Sequence, residues 1–416
     1  MRKLKRKEGL VGVASATAVV LLLVSACSSS SGSSTADNGK TSGGKCSGTS
    51  RTYTFAFTGP LSGPVAPFIA PAQQGLNNYF TYLNTKGGVN CHQLKLESTD
   101  ISTDTGQAVA AYRQYVSNPA VLAITGLGIS SQVEPIAPSL STDGIAAISI
   151  TSGDPALLPY NKWYFSFGDA LAGEGTASLS YVLSKDPHAR IAFFSYDTPA
   201  EVSLANSIAS EVKHSTAKLV YSTLVPFTAS NVSIEIANLL KTKPNWIING
   251  GATAPIATSA IDSLKTDGFK GKMIVVAAGG DDSDFQLGGN SSFTYVATRN
   301  FRDPSETQIP AVAQMMAHVS GPHPTVQYYT SGWVLGEVIA SALKICGSSC
   351  SRSAFRNALE KVNLGNADGL AGGPVGFSST CHQGFRTAMI YVWNPTTKKP
   401  QFDESKPYYT SGPCAG

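Results

Sequence analysis

From residue 52 onward, short apolar runs alternate with stretches of helical periodicity. Residues 52–58 (TYTFAFT) read as a strand. The next segment sets Ala72, Leu76, Tyr79 and Leu83 at spacings of 4, 3 and 4, one face of a helix that Gly87-Gly88 stops. Strand 94–98, a helix through Ala108, Tyr112 and Tyr115, strand 121–125, helix 131–141 and strand 145–149 continue the series. A second series runs through helix 173–184, strand 190–195, helix 199–213, strand 218–225, helix 231–241, strand 245–249, helix 255–267 and strand 272–277. Such alternation predicts βαβ crossovers and an α/β fold with parallel sheets. Two series, with strand 163–167 between them as a crossover, predict two Rossmann-like lobes; a (β/α)8 barrel is the alternative of suitable length. Helical patterns at 306–318, 328–345 and 351–361 and a strand at 388–394 follow, and no repeat of fixed period links the two series.

The part before residue 51 is different in kind. Five basic residues (Arg2, Lys3, Lys5, Arg6, Lys7) precede the apolar stretch 9–26, GLVGVASATAVVLLLVSA, which ends in small residues. This is the pattern of a secretory signal, with an uncleaved membrane anchor as the alternative. Val24-Ser25-Ala26-Cys27 resembles the lipobox of bacterial lipoproteins, in which the cysteine is acylated and becomes the first mature residue. Residues 27–50, rich in Ser, Gly and Thr, carry too little apolar surface to fold and are expected to form a flexible tether. No later stretch reaches 18 apolar residues, so the body is expected to be soluble and held at the outer face of the cytoplasmic membrane by lipid at Cys27. With 42% hydrophobic and only 14% charged residues, the remainder can fill a core under a neutral polar surface. The basic start accounts for the formal net charge of +4, which leaves no footprint for nucleic acid.

Six cysteines remain besides Cys27, and an even number in an exported chain points to disulfides. Nearness in sequence and the expected fold favour Cys46–Cys91, Cys346–Cys350 and Cys381–Cys414. A zinc site at Cys346-Gly-Ser-Ser-Cys350 would need a second ligand pair; His382 is a lone candidate.

Catalytic chemistry finds little support. Gly128-Ile-Ser130-Ser131-Gln132 lacks the last glycine of a nucleophile elbow, and neither a phosphate-binding loop nor H-E-x-x-H is present. The six histidines are scattered and read as surface imidazoles. Asp281-Asp282-Ser283-Asp284 lacks the glycine and distal glutamate of a calcium loop and reads as a solvated turn or an acidic helix start. No metal or cofactor is implied. Binding chemistry fares better. Strand 121–125 runs into Gly126-Leu-Gly128-Ile-Ser130-Ser131, which opens a helix, so glycines could admit a ligand to the backbone beside free N–H groups and the Ser130 and Ser131 hydroxyls. Strand 145–149 ends in a second polar loop with Thr151 and Ser152. Ligands of parallel sheets bind outside such strand ends. The competing role for Ser130 is to cap its helix.

These residues make residues 52–395 similar to the type 1 periplasmic-binding-protein family, in particular to the leucine/isoleucine/valine-binding proteins of ABC transporters. The resemblance is carried by Thr58-Gly-Pro-Leu-Ser-Gly-Pro64, Gly75, Leu83-Asn84-Thr-Lys-Gly-Gly-Val-Asn90, Leu94 to Leu96 with Asp100, the 126–131 turn, residues 144–149 and Asp154-Pro155. It implies two lobes joined by three crossovers: 51–169 with 298–375, and 170–297 with 376–416. It also implies a monomer that closes over a small solute, such as an amino acid or a related carboxylate or amide, and delivers it to ABC permease subunits. A ligand-sensing ectodomain of the same fold and an exported enzyme are the alternatives. By the resemblance, Ser130 bonds a ligand carboxylate with help from groups near Ser131, Thr151 and Ser152, and Phe68 supplies an aromatic wall. Departures concern the ligand: Gly153 replaces a usual threonine, Asp197-Thr-Pro-Ala200-Glu201 stands where that branch has Tyr-Gly, and Ala252 follows two glycines in place of an aromatic. No glutamate lies near 278–280, so Asp281 is the nearest carboxylate for an ammonium group.

Overall fold

The central strands are apolar on both faces, as parallel strands covered on two sides must be. In β1 (Arg51–Gly59), Phe55 and Phe57 enter one core while Ala56 faces another. In β6 (Arg190–Tyr196), Ile191 and Phe193 likewise oppose Ala192 and Phe194. The structure, a computed structural model, describes residues 51–150, 161–168, 171–251, 256–276, 280–407 and 414. The signal-like segment, the tether, Cys27, Cys46, Thr151 and Ser152 lie outside them.

β1 pairs in parallel with β2 (His92–Asp100) on one side and β3 (Val121–Gly126) on the other. β4 (Ala146–Ser149) and β5 (Tyr164–Ser166) extend this sheet in the order β2-β1-β3-β4-β5. The second sheet is built around β6, flanked by β7 (Lys218–Val225) and β8 (Trp246–Asn249), with β9 (Lys272–Val275) and β10 (Thr294–Arg299) beyond β8. β11 (Thr387–Asn394) and β12 (Lys399–Pro407) finish it antiparallel, giving β12-β11-β10-β9-β8-β6-β7. This is a two-sheet α/β architecture and not a closed barrel.

The chain passes between the sheets three times: after β5, after β10, and before β11. The last passage comes later than the sequence placed it. Residues 376–385 stay with the first sheet, where Gln383 bridges to Ser166 of β5 and Phe385 to Val375.

Several motif residues fix this frame. Helix α1 (Ala66–Thr85) crosses α11 (Gln327–Cys346) at backbone distance, because a side chain on Gly75 would reach 2.1 Å from the Tyr329 carbonyl. Asn84, at the end of α1, exchanges two hydrogen bonds with the Leu94 backbone, at 2.8 and 2.9 Å. Asn90 donates to the Leu343 carbonyl at 2.7 Å. Asp100 accepts from the N–H groups of Leu61, Ser62 and Ser102 at 2.8–3.2 Å and so pins the loop after β1; these bonds, that from the Ser62 side chain first, hold its carboxyl below the usual range.

The expected helix over 131–141 is broken into α3 (Ser130–Val133), a 3-10 turn and α4 (Leu140–Asp143), since Pro135 and Pro138 withhold the N–H groups a continuous helix needs. Cys346–Cys350 and Cys381–Cys414 are bonded as expected, and Cys91 is also in a disulfide, whose other half is outside the described residues. Among the described residues no helix is long and apolar enough to cross a membrane.

Candidate functional site

In each sheet the first strand is flanked by the second on one side and the third on the other: β2-β1-β3 and β7-β6-β8. The chain therefore leaves β1 and β3, and likewise β6 and β8, in opposite directions, which opens a crevice at the carboxyl ends between β1 and β3 and between β6 and β8. The two crevices face each other. Ser130 follows β3, Thr198 follows β6, and their hydroxyls stand 3.5 Å apart. Ser130 is 2% exposed and Thr198 8%. Each comes from a different sheet, so this pair marks a place where the two halves meet.

Ser130 is not spent on capping. The N-cap position of α3 is Ile129, and the Ser130 side chain makes no cap bond. Its hydroxyl turns instead toward Thr198, which occupies the N-cap of α6 (Pro199–Val212) and donates to the carboxylate of Glu201, one turn in. The pattern Thr198-x-x-Glu201 matches a capping box, yet the Thr198 side chain makes no bond to the helix backbone. Its proton goes to Glu201, so Ser130 is left as the donor across the gap. Burial pushes the Glu201 carboxyl up to about 7.

The glycines beside Ser130 act differently from the sequence expectation. Gly126 has φ +93°, and a side chain there would meet the Thr58 carbonyl at 2.2 Å. One on Gly128 would meet Ile69 at 2.7 Å. Both are required by chain packing; the room they leave is already filled by protein. Ser149 adds to the same wall by donating to the Leu127 carbonyl at 2.9 Å, which fixes the turn that aims Ser130. At the end of β1 the buried Thr58 hydroxyl has no hydrogen-bond partner among the described residues. Across the gap, Ser195 donates to the Gly250 carbonyl at 3.0 Å and ties β6 to the end of β8.

The other expected site residues fall in different places. Ser131 is half-buried, and its carbonyl receives a bond from Thr105 at 3.4 Å. Phe68, half-buried in α1 beside Ile69, packs edge-on against Tyr328 at 5.6 Å. Asp281 sits before α9 (Asp282–Gly289) and accepts from the Gln327 N–H, the start of α11, at 3.0 Å. It joins the second sheet's half to a helix of the first and is 1% exposed. Burial, with Asp284 and Asp303 nearby, raises its pKa well above the carboxylate range. Next to it, buried Arg299 pairs with Asp282 at 2.6 Å and lies 4.5 Å from the centre of the Tyr391 ring. The acidic run is thus a helix start wired to a passage between the sheets.

Two histidines read as surface groups are buried. His92 stacks on Tyr53 at 4.3 Å. His382 lies against Phe165 at 3.9 Å, with its ring nitrogens 2.9 Å from the Tyr164 carbonyl and 3.0 Å from Glu360. Burial lowers its pKa despite the pull of Glu360. It bolts the third passage to β5. Among the described residues no group of three His, Cys, Asp or Glu is placed to hold a metal ion.

The sequence does not single out Thr198 and Glu201 as candidate site residues, because they stand in a departure from the resemblance. The signal was present: a strand ending at Tyr196, then Pro199 opening a helix, repeats the placement of Ser130 after β3.

Comparison with known proteins accords with this geometry. The leucine-specific-binding protein of Salmonella typhimurium is 24% identical over 319 residues, 76% of this chain and 83% of that one. A branched chain amino acid ABC transporter structure from Thermus thermophilus, with bound valine, superposes with a TM-score of 0.76 at 13% identity, covering 88% of this chain and 98% of that one. A solute binding protein from R. palustris, in complex with 4-hydroxybenzoate, gives 0.74 at 12%, covering 86% and 98%. Both likenesses establish a shared fold. The sequence profile described as "Periplasmic binding protein" matches residues 52–399, and with most of its length so matched the chain belongs to the periplasmic binding protein family, a family of binding proteins and not of enzymes.

Proposed function

We propose that this chain is the solute-binding component of an ABC importer, anchored by lipid at Cys27, and that its two lobes close over a small solute at the Ser130–Thr198 gap. The observation that carries this reading is the meeting of two switch-point crevices, one from each sheet, through buried hydroxyls 3.5 Å apart. The three passages lie together, Phe301 stacking on Phe167 at 5.6 Å and on Phe385 at 5.2 Å, which suits a single hinge about which the halves could part. Hydroxyls at strand ends suit a compact polar head, such as the carboxylate or amide of an amino acid or aromatic acid. Ser130, Ser131, Thr151 and Ser152 would line the first lobe's side and Phe68 its apolar wall. Asp281 is left out of this set, because its bond to Gln327 gives it a structural task. The solute-bearing form would dock on permease subunits in the membrane.

Thermal unfolding against a panel of branched and aromatic amino acids, amides, short organic acids, aromatic acids and sugars tests the reading. A solute that binds only the folded state, at 100 times its dissociation constant, adds about 2.7 kcal/mol of stability. A shift with one class identifies the cargo; no shift with any solute defeats the proposal. Mass analysis of the protein from membranes checks the anchor, which requires acyl groups on Cys27.

A further inference from the structure

We infer that Glu201 is the specificity-determining carboxylate of the second lobe, and that the solute carries a hydrogen-bond donor, an ammonium or hydroxyl group, beside the acceptor to which Ser130 donates. This rests on the solute-binding reading above and deepens it.

Other buried carboxylates of the second sheet's half lie at the passages between the sheets. Asp281 accepts from the Gln327 N–H at 3.0 Å. Asp282 is held by Arg299 at 2.6 Å and by Ser305 at 2.9 Å. Glu174, fully buried, accepts from Thr298 at 2.9 Å and from Asn300. Asp303 faces Arg299 at 3.9 Å. Each is engaged at the passages between the sheets, with Asp281 Oδ2 and Asp303 Oδ2 buried there without a hydrogen-bond partner among the described residues. Glu201 alone among the described residues is hydrogen-bonded to the hydroxyl pair that spans the gap. It stands on the first turn of α6, where the rigid end of β6 fixes its place.

Thr198 already models what the site would take. A hydroxyl between Ser130 and Glu201 donates to the carboxylate and accepts from the serine. A solute with both a donor and an acceptor could replace or extend that arrangement, whereas one without a donor would leave the half-buried Glu201 carboxylate only the Thr198 hydroxyl as its partner. Sites built to hydrogen-bond a donor reject analogues lacking it more strongly than apolar pockets reject a missing methylene.

Calorimetric titration of the full chain in mild detergent uses two probe pairs: L-leucine against 4-methylpentanoate, and 4-hydroxybenzoate against benzoate. The donor-bearing member of at least one pair should bind at least about tenfold more tightly, and Glu201→Ala should narrow that gap to about threefold or less. Glu201→Gln, nearly isosteric, is judged by the same threshold should the alanine variant fail to fold. Equal affinity within both pairs, a gap that survives the substitution, or binding by none of the four probes overturns the inference. If a donor-free solute of the wider panel still binds, the solute-binding reading stands and only the role of Glu201 falls.

Discussion

Replacing Arg352 by methionine should destabilise the protein by about 3 kcal/mol without changing solute affinity. Arg352 opens α12 (Arg352–Leu359), and its guanidinium reaches back over the end of α2 (Thr105–Ser117). It donates to Val121 O at 2.8 Å, Val116 O at 3.1 and 3.2 Å, Tyr115 O at 3.3 Å and Asn118 O at 2.7 Å. Three of these carbonyls belong to the last turn and cap of α2, the negative end of its dipole, where a cation is favoured. A hydrogen bond to a charged group contributes about 1.5–3 kcal/mol. Five from one guanidinium do not add, and the half-buried position lets water replace some of them, so about 3 kcal/mol in all is the expected loss. Methionine keeps an apolar stem of similar length and removes the polar head, so the loss reports on the guanidinium. Arg352→Lys restores a compact charge but not the fork and should recover about half. Urea unfolding followed by far-UV circular dichroism measures both. Arg352 holds the amino end of β3, opposite the end that carries Ser130, so calorimetric affinity should stay at the wild-type value. A methionine variant within about 0.5 kcal/mol of wild type would show that water serves these carbonyls equally well and refute the reasoning.

Gly75→Ala should cost about 2–4 kcal/mol in the same assay: the new methyl meets the Tyr329 carbonyl at 2.1 Å, and the gain of about 1 kcal/mol in helix propensity cannot offset a shift of two packed helices. Ser130→Ala should weaken solute binding by about 1–3 kcal/mol and leave the ligand-free melt nearly unchanged; unchanged affinity would remove Ser130 from the site. The Glu201 carboxyl, at about 7 when folded against an ordinary 4.5, favours the protonated folded state. Its contribution is complete below pH 4.5 and is lost as the pH rises through 7, at most about 3 kcal/mol; Glu201→Gln should flatten that fall, and an unaltered pH profile of unfolding would contradict it.

The alternation of strands and helices was legible because parallel strands buried on two faces leave continuous apolar runs, such as residues 121–125 and 190–195. Edge position hid β12: KPQFDESKP has Phe402 as its one aromatic and pairs on one side with β11. The pattern predicts no strand over 294–299, where β10 stands, and leaves 281–284, where α9 begins, open between a turn and an acidic helix start; four acidic or glycine positions in DSDFQLGG blur the helical face. At the site, Ser130 could be singled out from the strand-to-helix turn that carries it. The choice between Asp281 and Glu201 could not, because it depends on where the start of α11 docks, nearly fifty residues from Asp281 in the chain. His382 is a similar case. Its neighbours are polar in sequence, and only the return of 376–385 to β5 buries it.

The bond between Asp281 and the Gln327 N–H bears on how the molecule would breathe. It spans the same two halves as the Ser130–Thr198 contact, but it is buried beside the second passage of the chain. A rotation that separates the hydroxyls while sparing this bond must have its axle near the start of α11, where displacement is smallest. Fluorophores placed astride the gap would then register a large stroke, and a pair near residues 281 and 327 almost none. The helix that crosses α1 at backbone distance would serve as the pivot pin, and the close fit at Gly75 would set how little play the joint has.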